Sequence, residues 1–240
     1  VKPRGILLDL DDTILRYSAA GWDCWRALWA REVAERFDVD EDAFVEALRR
    51  SAGEYWSDPV RSEAGRMDPW TARRRIVEGG LEALGMEAPG LAGALAEAFV
   101  REREDLVRPF EGAIEAVREL RGMGLALGLV TNGLSSFQRA KIERWELADL
   151  FDVIVVESEF GAGKPDAAVY HHALGALALG AEEAWMVGDD LDWDVAGAQA
   201  VGVRGVWHDW EGSGLPADAA VRPDEIIGRL AELPARVGRS

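Results

Sequence analysis

Five short apolar runs, each stopping abruptly at polar residues, set the rhythm of the chain. Residues 5–10 (Gly-Ile-Leu-Leu-Asp-Leu) run into Asp11-Asp12-Thr13, and 125–130 into Thr131-Asn132-Gly133. Residues 153–156 end at Glu157, 184–187 at Gly188-Asp189, and 203–207 at His208. Runs this short and this continuously apolar predict strands buried on both faces. Helical spacing separates them at 113–121, 137–145, 167–177 and 195–200, and a last helix is predicted near 224–235, after a loop at 212–216. Strands alternating with helices imply right-handed crossovers and an α/β fold, a Rossmann-like parallel sheet covered by helices on both faces.

One connection is far too long. A βα unit needs only about 30 residues, yet about 110 separate Asp12 from Leu125. The pattern there is helical throughout. Trp22, Trp25, Trp29, Val33 and Phe37 recur at helical spacing, and a second helix starts at Asp40 with Phe44, Val45 and Leu48. Asp68-Pro69 pairs an N-cap with a first-turn proline, and Gly85 closes the stripe of Trp70, Ile76, Val77, Leu81 and Leu84. A fourth helix runs from about Gly90 through Leu95 and Phe99, and Pro109 and Gly112 suit a hinge at the return. The expected organisation is a core built from 1–15 and 109–240, with an all-α domain at 16–108 inserted after the first strand.

Composition narrows the partners. Against 44 Asp and Glu stand 27 Lys and Arg, a net charge of −17, which disfavours nucleic acid and anionic membrane surfaces. The single cysteine, Cys24, excludes an internal disulfide framework and multi-cysteine zinc sites. No run approaches the ~18 apolar residues of a membrane span. These features lead us to expect a cytoplasmic protein, monomeric or homodimeric.

In open parallel sheets, ligands bind beyond the carboxyl ends of the strands. Those ends carry Asp9 and Asp11, Thr131 and Asn132, Lys164 after the third strand, and Asp189 with Asp194. If the first and fourth strands are neighbours, several carboxylates converge, and a divalent cation resolves their repulsion. With oxygen donors and neither His nor Cys nearby in sequence, that cation is Mg²⁺. A carboxylate beside it can serve as a nucleophile, and an acid two residues on lies on the same side of an extended segment, placed for proton transfer. A calcium-loop reading of Asp190-x-Asp192-x-Asp194 fails because Val195 and Val201 stand where Gly and Glu are required. Gly161-Ala-Gly-Lys164 fails as a P-loop because Pro165 replaces the magnesium-binding hydroxyl.

The segment Ile-Leu-Leu-Asp9-Leu-Asp11-Asp12-Thr13 resembles the first motif of the haloacid dehalogenase-like (HAD) hydrolase superfamily. Leu-Val-Thr131-Asn132-Gly133, Gly163-Lys164-Pro165-Asp166 and Gly188-Asp189 through Asp194 resemble its second, third and fourth, in the same order. The resemblance implies Asp9 as nucleophile and Asp11 as general acid/base, with Thr131, Asn132 and Lys164 on the substrate phosphate. It implies Mg²⁺ on Asp9, the Asp11 main-chain carbonyl and Asp189. Asp194 would either touch the metal or orient Lys164, and the insert would be the C1 cap that closes over the site. An acid at position 11 favours a phosphatase of a small phosphorylated metabolite over a 2-haloacid dehalogenase; a sugar-phosphate mutase keeps that acid, and a non-catalytic binding protein would have lost one of these groups. The second motif, with Gln138-Arg-Ala-Lys-Ile-Glu143 after it, resembles the pyrimidine 5′-nucleotidases and N-acylneuraminate-9-phosphatases, so nucleoside monophosphates and sugar or sugar-acid phosphates are the expected substrates.

The remaining polar and aromatic residues read more plainly. Asp12, Asp190 and Asp192 suit loops and caps, and Cys24 packs. Trp22, Trp25, Trp29, Trp56 and Trp70 suit the core of the insert. His171 and His172 lie on a helix as a solvated or partly buried pair rather than ligands, and His208, after the fifth strand, reads as lying off the site although it could approach the rim. Arg61, Arg66 and Arg73 to Arg75 form a solvated face, from which one or two could reach a substrate carboxylate or a second phosphate.

Overall fold

The computed structural model describes residues 2–239. The chain divides into two compact units, one formed by Val1–Arg16 with Arg108–Ser240 and the other by Tyr17–Val107. The first strand, β1 (Gly5–Leu8), is wholly buried, and the chain then leaves its sheet for the helical unit.

That unit has five helices: α1 (Tyr17–Leu28), α2 (Glu41–Trp56), α3 (Pro59–Met67), α4 (Pro69–Ala83) and α5 (Leu91–Leu106). Three begin at an aspartate whose side chain accepts a first-turn N–H: Asp40 from Ala43, Asp58 from Arg61 and Asp68 from Thr71. Each such cap contributes about 1 kcal/mol. The tryptophan series from Trp22 to Phe37 does not make one continuous helix, because α1 widens into a π-helical turn at Trp29–Val33. α3 has no apolar stripe to betray it; its inward positions are Ser62 and Gly65. Of the tryptophans expected inside, only Trp25 is fully buried, and Trp70 is 44% exposed.

The α/β unit continues with α6 (Ala113–Gly122), β2 (Ala126–Thr131), α7 (Ser135–Arg144), β3 (Val153–Val156), the single turn α8 (Glu157–Phe160) and α9 (Ala167–Ala176). After these come β4 (Ala184–Gly188), a π-helical turn (Leu191–Ala196), α10 (Gly197–Ala200), β5 (Arg204–His208), β6 (Glu225–Ile227) and α11 (Leu233–Arg239). The six strands are all parallel, in the order β3-β2-β1-β4-β5-β6. Leu7, Val130, Val155 and Met186 project from the sheet into a core with Val169, Tyr170, Ala173 and Leu174 of α9 and Ala198 of α10.

The helix predicted at 224–235 is absent. Glu225–Ile227 instead pairs with Val206–His208 as an edge strand, and only a 3₁₀ turn and α11 follow. Hydrogen bonding to an open sheet edge decides the conformation of those residues, and that partner lies far away in sequence.

Candidate active site

β1 lies between β2 and β4, with Leu8 opposite Leu129 on one side and Val187 on the other. The first and fourth strand ends are therefore neighbours, as convergence of their acids requires. Asp9 extends the ladder by donating its N–H to the Val187 carbonyl at 2.9 Å, so its carboxyl stands at the head of the sheet, 6% exposed. A tight loop follows, in which Ile14 and Leu15 both donate to the Leu10 carbonyl and Asp12 adopts a left-handed conformation with φ of 59°. Buried His208 secures that loop: its Nδ1 lies 3.0 Å from the Asp12 carbonyl, which can only accept, so the ring proton sits on Nδ1. Burial lowers the pKa of His208 and keeps the ring neutral. His208 thus supports the loop through its contact with the Asp12 carbonyl.

Lys164 is the hub of the site. Its Nζ lies 2.5 Å from Asp9 Oδ1 and 2.6 Å from Asp194 Oδ1, and all three side chains are buried. Burial alone would push the ammonium toward neutrality, but Asp194 and Asp9 outweigh it and hold the group charged, with its pKa raised. Asn132, expected on the phosphate, turns its side chain elsewhere: Nδ2 donates to the Lys164 carbonyl and Oδ1 accepts the Lys164 N–H, each at 2.8 Å. A built Cβ on Gly163 would stand 2.5 Å from the Glu157 carboxyl carbon and 2.8 Å from Asn132 Oδ1, so the segment approaches this closely only as glycine. Glu157 in turn accepts the Gly133 N–H at 2.7 Å, fastening the loop after β2 to the end of β3.

Asp194 reaches Lys164 from the π-helical turn after β4. Asp190 caps that turn, accepting the N–H groups of Asp192 and Trp193, while its own N–H donates to Asp194 Oδ2 at 3.1 Å. Both Asp194 oxygens are thereby committed, one to Lys164 and one to backbone. A Cβ at Gly188 would fall 2.1 Å from the Asp194 carboxyl carbon, so this glycine is what admits the side chain. Tyr170 donates to the Trp193 carbonyl, and Trp207 Nε1 donates to the Asp189 carbonyl at 2.7 Å. The strand ends are tied down from both sides.

Two residues join the site that the sequence reading did not assign to it. Lys141 Nζ contacts both carboxylate oxygens of Asp11, at 2.6 and 2.5 Å, and is itself buried. Gln138 Nε2 lies 2.7 Å from Thr131 Oγ1 and 3.2 Å from Asp11 Oδ2. The two stand three apart on α7, so one helix face presents both. That spacing was visible in the sequence; their partner, some 130 positions away, was not.

The carboxylates outnumber their cations. Ligand oxygens of Asp9, Asp189 and Asp194 lie within 4.8 Å of one another, and the Lys164 ammonium bridges Asp9 and Asp194. Burial raises the pKa of Asp9 to about 7, with Lys164 opposing and Asp194 adding to the rise. Asp189 is driven well above the carboxylate range, first by burial and then by Asp9 and Asp194. Among the described residues the Asp189 carboxylate accepts no hydrogen bond, nor does the main-chain carbonyl of Asp11. These free oxygens, with the second oxygen of Asp9, are the donor chemistry that a hard divalent cation takes, and such a charge would relieve the repulsion.

The chain is similar to known proteins. The model of a haloacid dehalogenase-like hydrolase family matches residues 3–202. A phosphoserine phosphatase of Thermus thermophilus is 37% identical over 95% of this chain and 96% of its own. A ribulose-1,5-bisphosphate 5-phosphatase of Halopiger xanaduensis is 31% identical over 95% of this chain and 96% of its own. The subgroup named from the second motif is also represented: the pyrimidine 5′-nucleotidase YjjG of Escherichia coli is 28% identical over 62% of this chain and 60% of its own, and the N-acylneuraminate-9-phosphatase of Rattus norvegicus 34% over 45% and 43%. In fold, the chain matches the magnesium-bound HAD-hydrolase YfnB of Bacillus subtilis with a TM-score of 0.78, at 23% identity over 99% of both chains. Four motifs in order, brought to one end of a six-stranded parallel sheet, and a family match over most of the sequence place this chain in the haloacid dehalogenase-like hydrolase family.

Proposed function

We propose that the enzyme is a magnesium-dependent phosphatase of a small phosphorylated metabolite, working through an aspartyl phosphate on Asp9. The observation that carries this reading is the pairing of two acids with different surroundings. Asp9 is buried against Lys164, while Asp11, two residues on, is held by Lys141 at the rim of the site. One suits a nucleophile and the other a proton carrier.

In the first step a carboxylate oxygen of Asp9 attacks phosphorus. The ester P–O bond breaks, and Asp11 gives its proton to the departing alkoxide. In the second, Asp11, now ionised, takes a proton from a water whose oxygen attacks the same phosphorus, releasing phosphate and restoring the Asp9 carboxylate. Lys164 offsets negative charge on the phosphoryl group. Thr131 Oγ1 accepts from Gln138, which leaves its own proton to donate to a phosphoryl oxygen. Asn132 acts by fixing the Lys164 backbone, and Asp194 by aiming its ammonium. Mg²⁺, held by Asp9, the Asp11 carbonyl and Asp189, would supply further charge neutralisation at the phosphoryl oxygens. We assign substrate selection to the helical unit and place the enzyme in the cytoplasm, a setting in which a free Cys24 is at home.

Among the described residues no helix is long and apolar enough to cross a membrane, so the assay uses the purified protein in solution. Phosphate release is measured with Mg²⁺ over nucleoside monophosphates, sugar phosphates, phosphoglycolate, phosphoserine and sialic acid phosphates, ranked by kcat/KM. The Asp9→Asn variant should lose at least about 10³-fold in kcat on the best substrate. Wild-type turnover in that variant, or halide release from 2-chloropropionate without phosphate release, would overturn the proposal.

A further inference from the structure

The last two residues of β5, Trp207 and His208, each bond to a loop that bears candidate metal donors. Trp207 stands opposite Gly188 in the register of β4 and β5, and its Nε1 donates to the Asp189 main-chain carbonyl at 2.7 Å. His208 presents Nδ1 to the Asp12 carbonyl at 3.0 Å. Both side chains are buried. One accepting carbonyl belongs to the residue whose carboxylate is a candidate ligand, and the other lies one peptide past the Asp11 carbonyl. An indole N–H is a donor only, so Trp207 can act on a cation through Asp189 alone.

These anchors are themselves fixed. Phe110 sets its ring edge-on to His208, with centroids 5.2 Å apart and 81° between planes, and its own N–H donates to the Ile14 carbonyl at 2.9 Å. The loop after β1 is therefore held at Asp12 by a ring and at Ile14 by backbone. Asp12 has φ of 59°, a conformation that residues other than glycine seldom adopt, so contacts from outside the loop must keep it there. The Asp189 carboxylate accepts no hydrogen bond among the described residues, and its position depends on the backbone that Trp207 fastens. Groups that orient metal ligands from outside typically govern affinity by about 10- to 100-fold. Mg²⁺ demands near-octahedral oxygens at about 2.0–2.1 Å, whereas Ca²⁺ accepts a looser shell at about 2.3–2.6 Å. A stiff donor set therefore favours the smaller ion.

We propose that Trp207 and His208 are positioning residues of the metal site, holding the backbone at Asp189 and at Asp11-Asp12 stiff enough to select Mg²⁺ over Ca²⁺. This rests on the magnesium part of the function proposed above and on none of its phosphoryl chemistry.

Calorimetric titration of the full-length, metal-stripped protein with Mg²⁺ and, separately, with Ca²⁺ reads the site without turnover. Trp207→Phe removes the donor and keeps most of the ring packing. It should raise the Mg²⁺ Kd by about 10-fold or more while the Ca²⁺ Kd moves by about threefold or less. His208→Leu should shift the ratio of the two constants in the same direction. His208→Asn, whose side-chain amide can donate where Nδ1–H does, should restore part of it. Urea denaturation in EDTA shows which variants are folded before titration, and Trp207→Phe with His208→Asn carry the test if His208→Leu is not. A Mg²⁺ Kd in Trp207→Phe within about twofold of wild type would overturn the proposal. So would equal weakening of both ions, which is what general loosening of the fold produces, or a wild-type protein that binds no Mg²⁺. The expected pattern of metal binding in a protein that hydrolyses no phosphate ester would sink the phosphatase reading and leave this inference standing. Mg²⁺-dependent hydrolysis with unchanged metal binding in the variants would do the reverse.

Discussion

Replacing Lys141 by methionine keeps most of the side chain's volume and removes the charge that holds Asp11. In the native protein the ammonium meets both Asp11 oxygens, with Lys141 4% and Asp11 21% exposed at the side chain. At an effective dielectric near 20, two unit charges this close attract by about 6 kcal/mol. Desolvation of the lysine and the solvent access of Asp11 reduce the net contribution to on the order of 2 kcal/mol. Activity should suffer through geometry. A general acid/base contributes about 10²–10⁴-fold, and a carboxyl freed from its bidentate partner should forfeit about 10- to 100-fold of that in kcat. The assay is steady-state hydrolysis of p-nitrophenyl phosphate with Mg²⁺, alongside urea denaturation of the same preparations. The loss should fall mainly on kcat, and Lys141→Arg should recover part of it. A kcat within about twofold of wild type, with stability unchanged, would refute the idea that Lys141 places Asp11.

Other perturbations reach the same site from different sides. Gly188→Ala sets a methyl where the Asp194 carboxyl carbon is 2.1 Å away, so Asp194 must swing off Lys164; unfolding should cost about 1–3 kcal/mol less and kcat should drop, and a variant with native stability and kcat would contradict this packing. Chelation with EDTA should abolish phosphate release, and Mg²⁺ should raise the melting temperature of wild type but not of Asp189→Asn; equal shifts in both would remove Asp189 from the metal site. His208 has a folded pKa below its unfolded value, so the unfolded chain binds the extra proton first. Its contribution is intact above about pH 6.5 and is lost as pH falls toward the folded value. Urea denaturation between pH 7 and 5 should therefore fall more steeply in wild type than in His208→Asn, and parallel curves would argue against a buried neutral ring.

The parts of this molecule that could be read from the sequence are those whose meaning is local. β1 and β4 are buried on both faces, which forces the unbroken apolar runs that end at Asp9 and Asp189. The three aspartate caps of the helical unit likewise act on N–H groups a few residues away. The features that escaped depend on distant partners. Lys141 looks like any helical lysine until the fold brings Asp11 to it. Glu225–Ile227 has the spacing of a helix and becomes a strand because β5 offers an open edge. α3 turns Ser62 and Gly65 inward and so carries no stripe. Among the arginines of the insert, residue number alone could not separate Arg73, which faces Phe99, from Arg74 and Arg75, which share Glu78.

The central claim is that Asp9 carries the phosphoryl group. Mixing the enzyme with a rapidly hydrolysed phosphate ester and Mg²⁺, quenching in acid within one turnover and reducing with borohydride converts an aspartyl phosphate to homoserine. Peptide mass spectrometry should then find homoserine at position 9 in wild type, and none in Asp9→Asn or without substrate. Unmodified Asp9 throughout a productive turnover, or homoserine at Asp11 or Asp189 instead, would contradict the account.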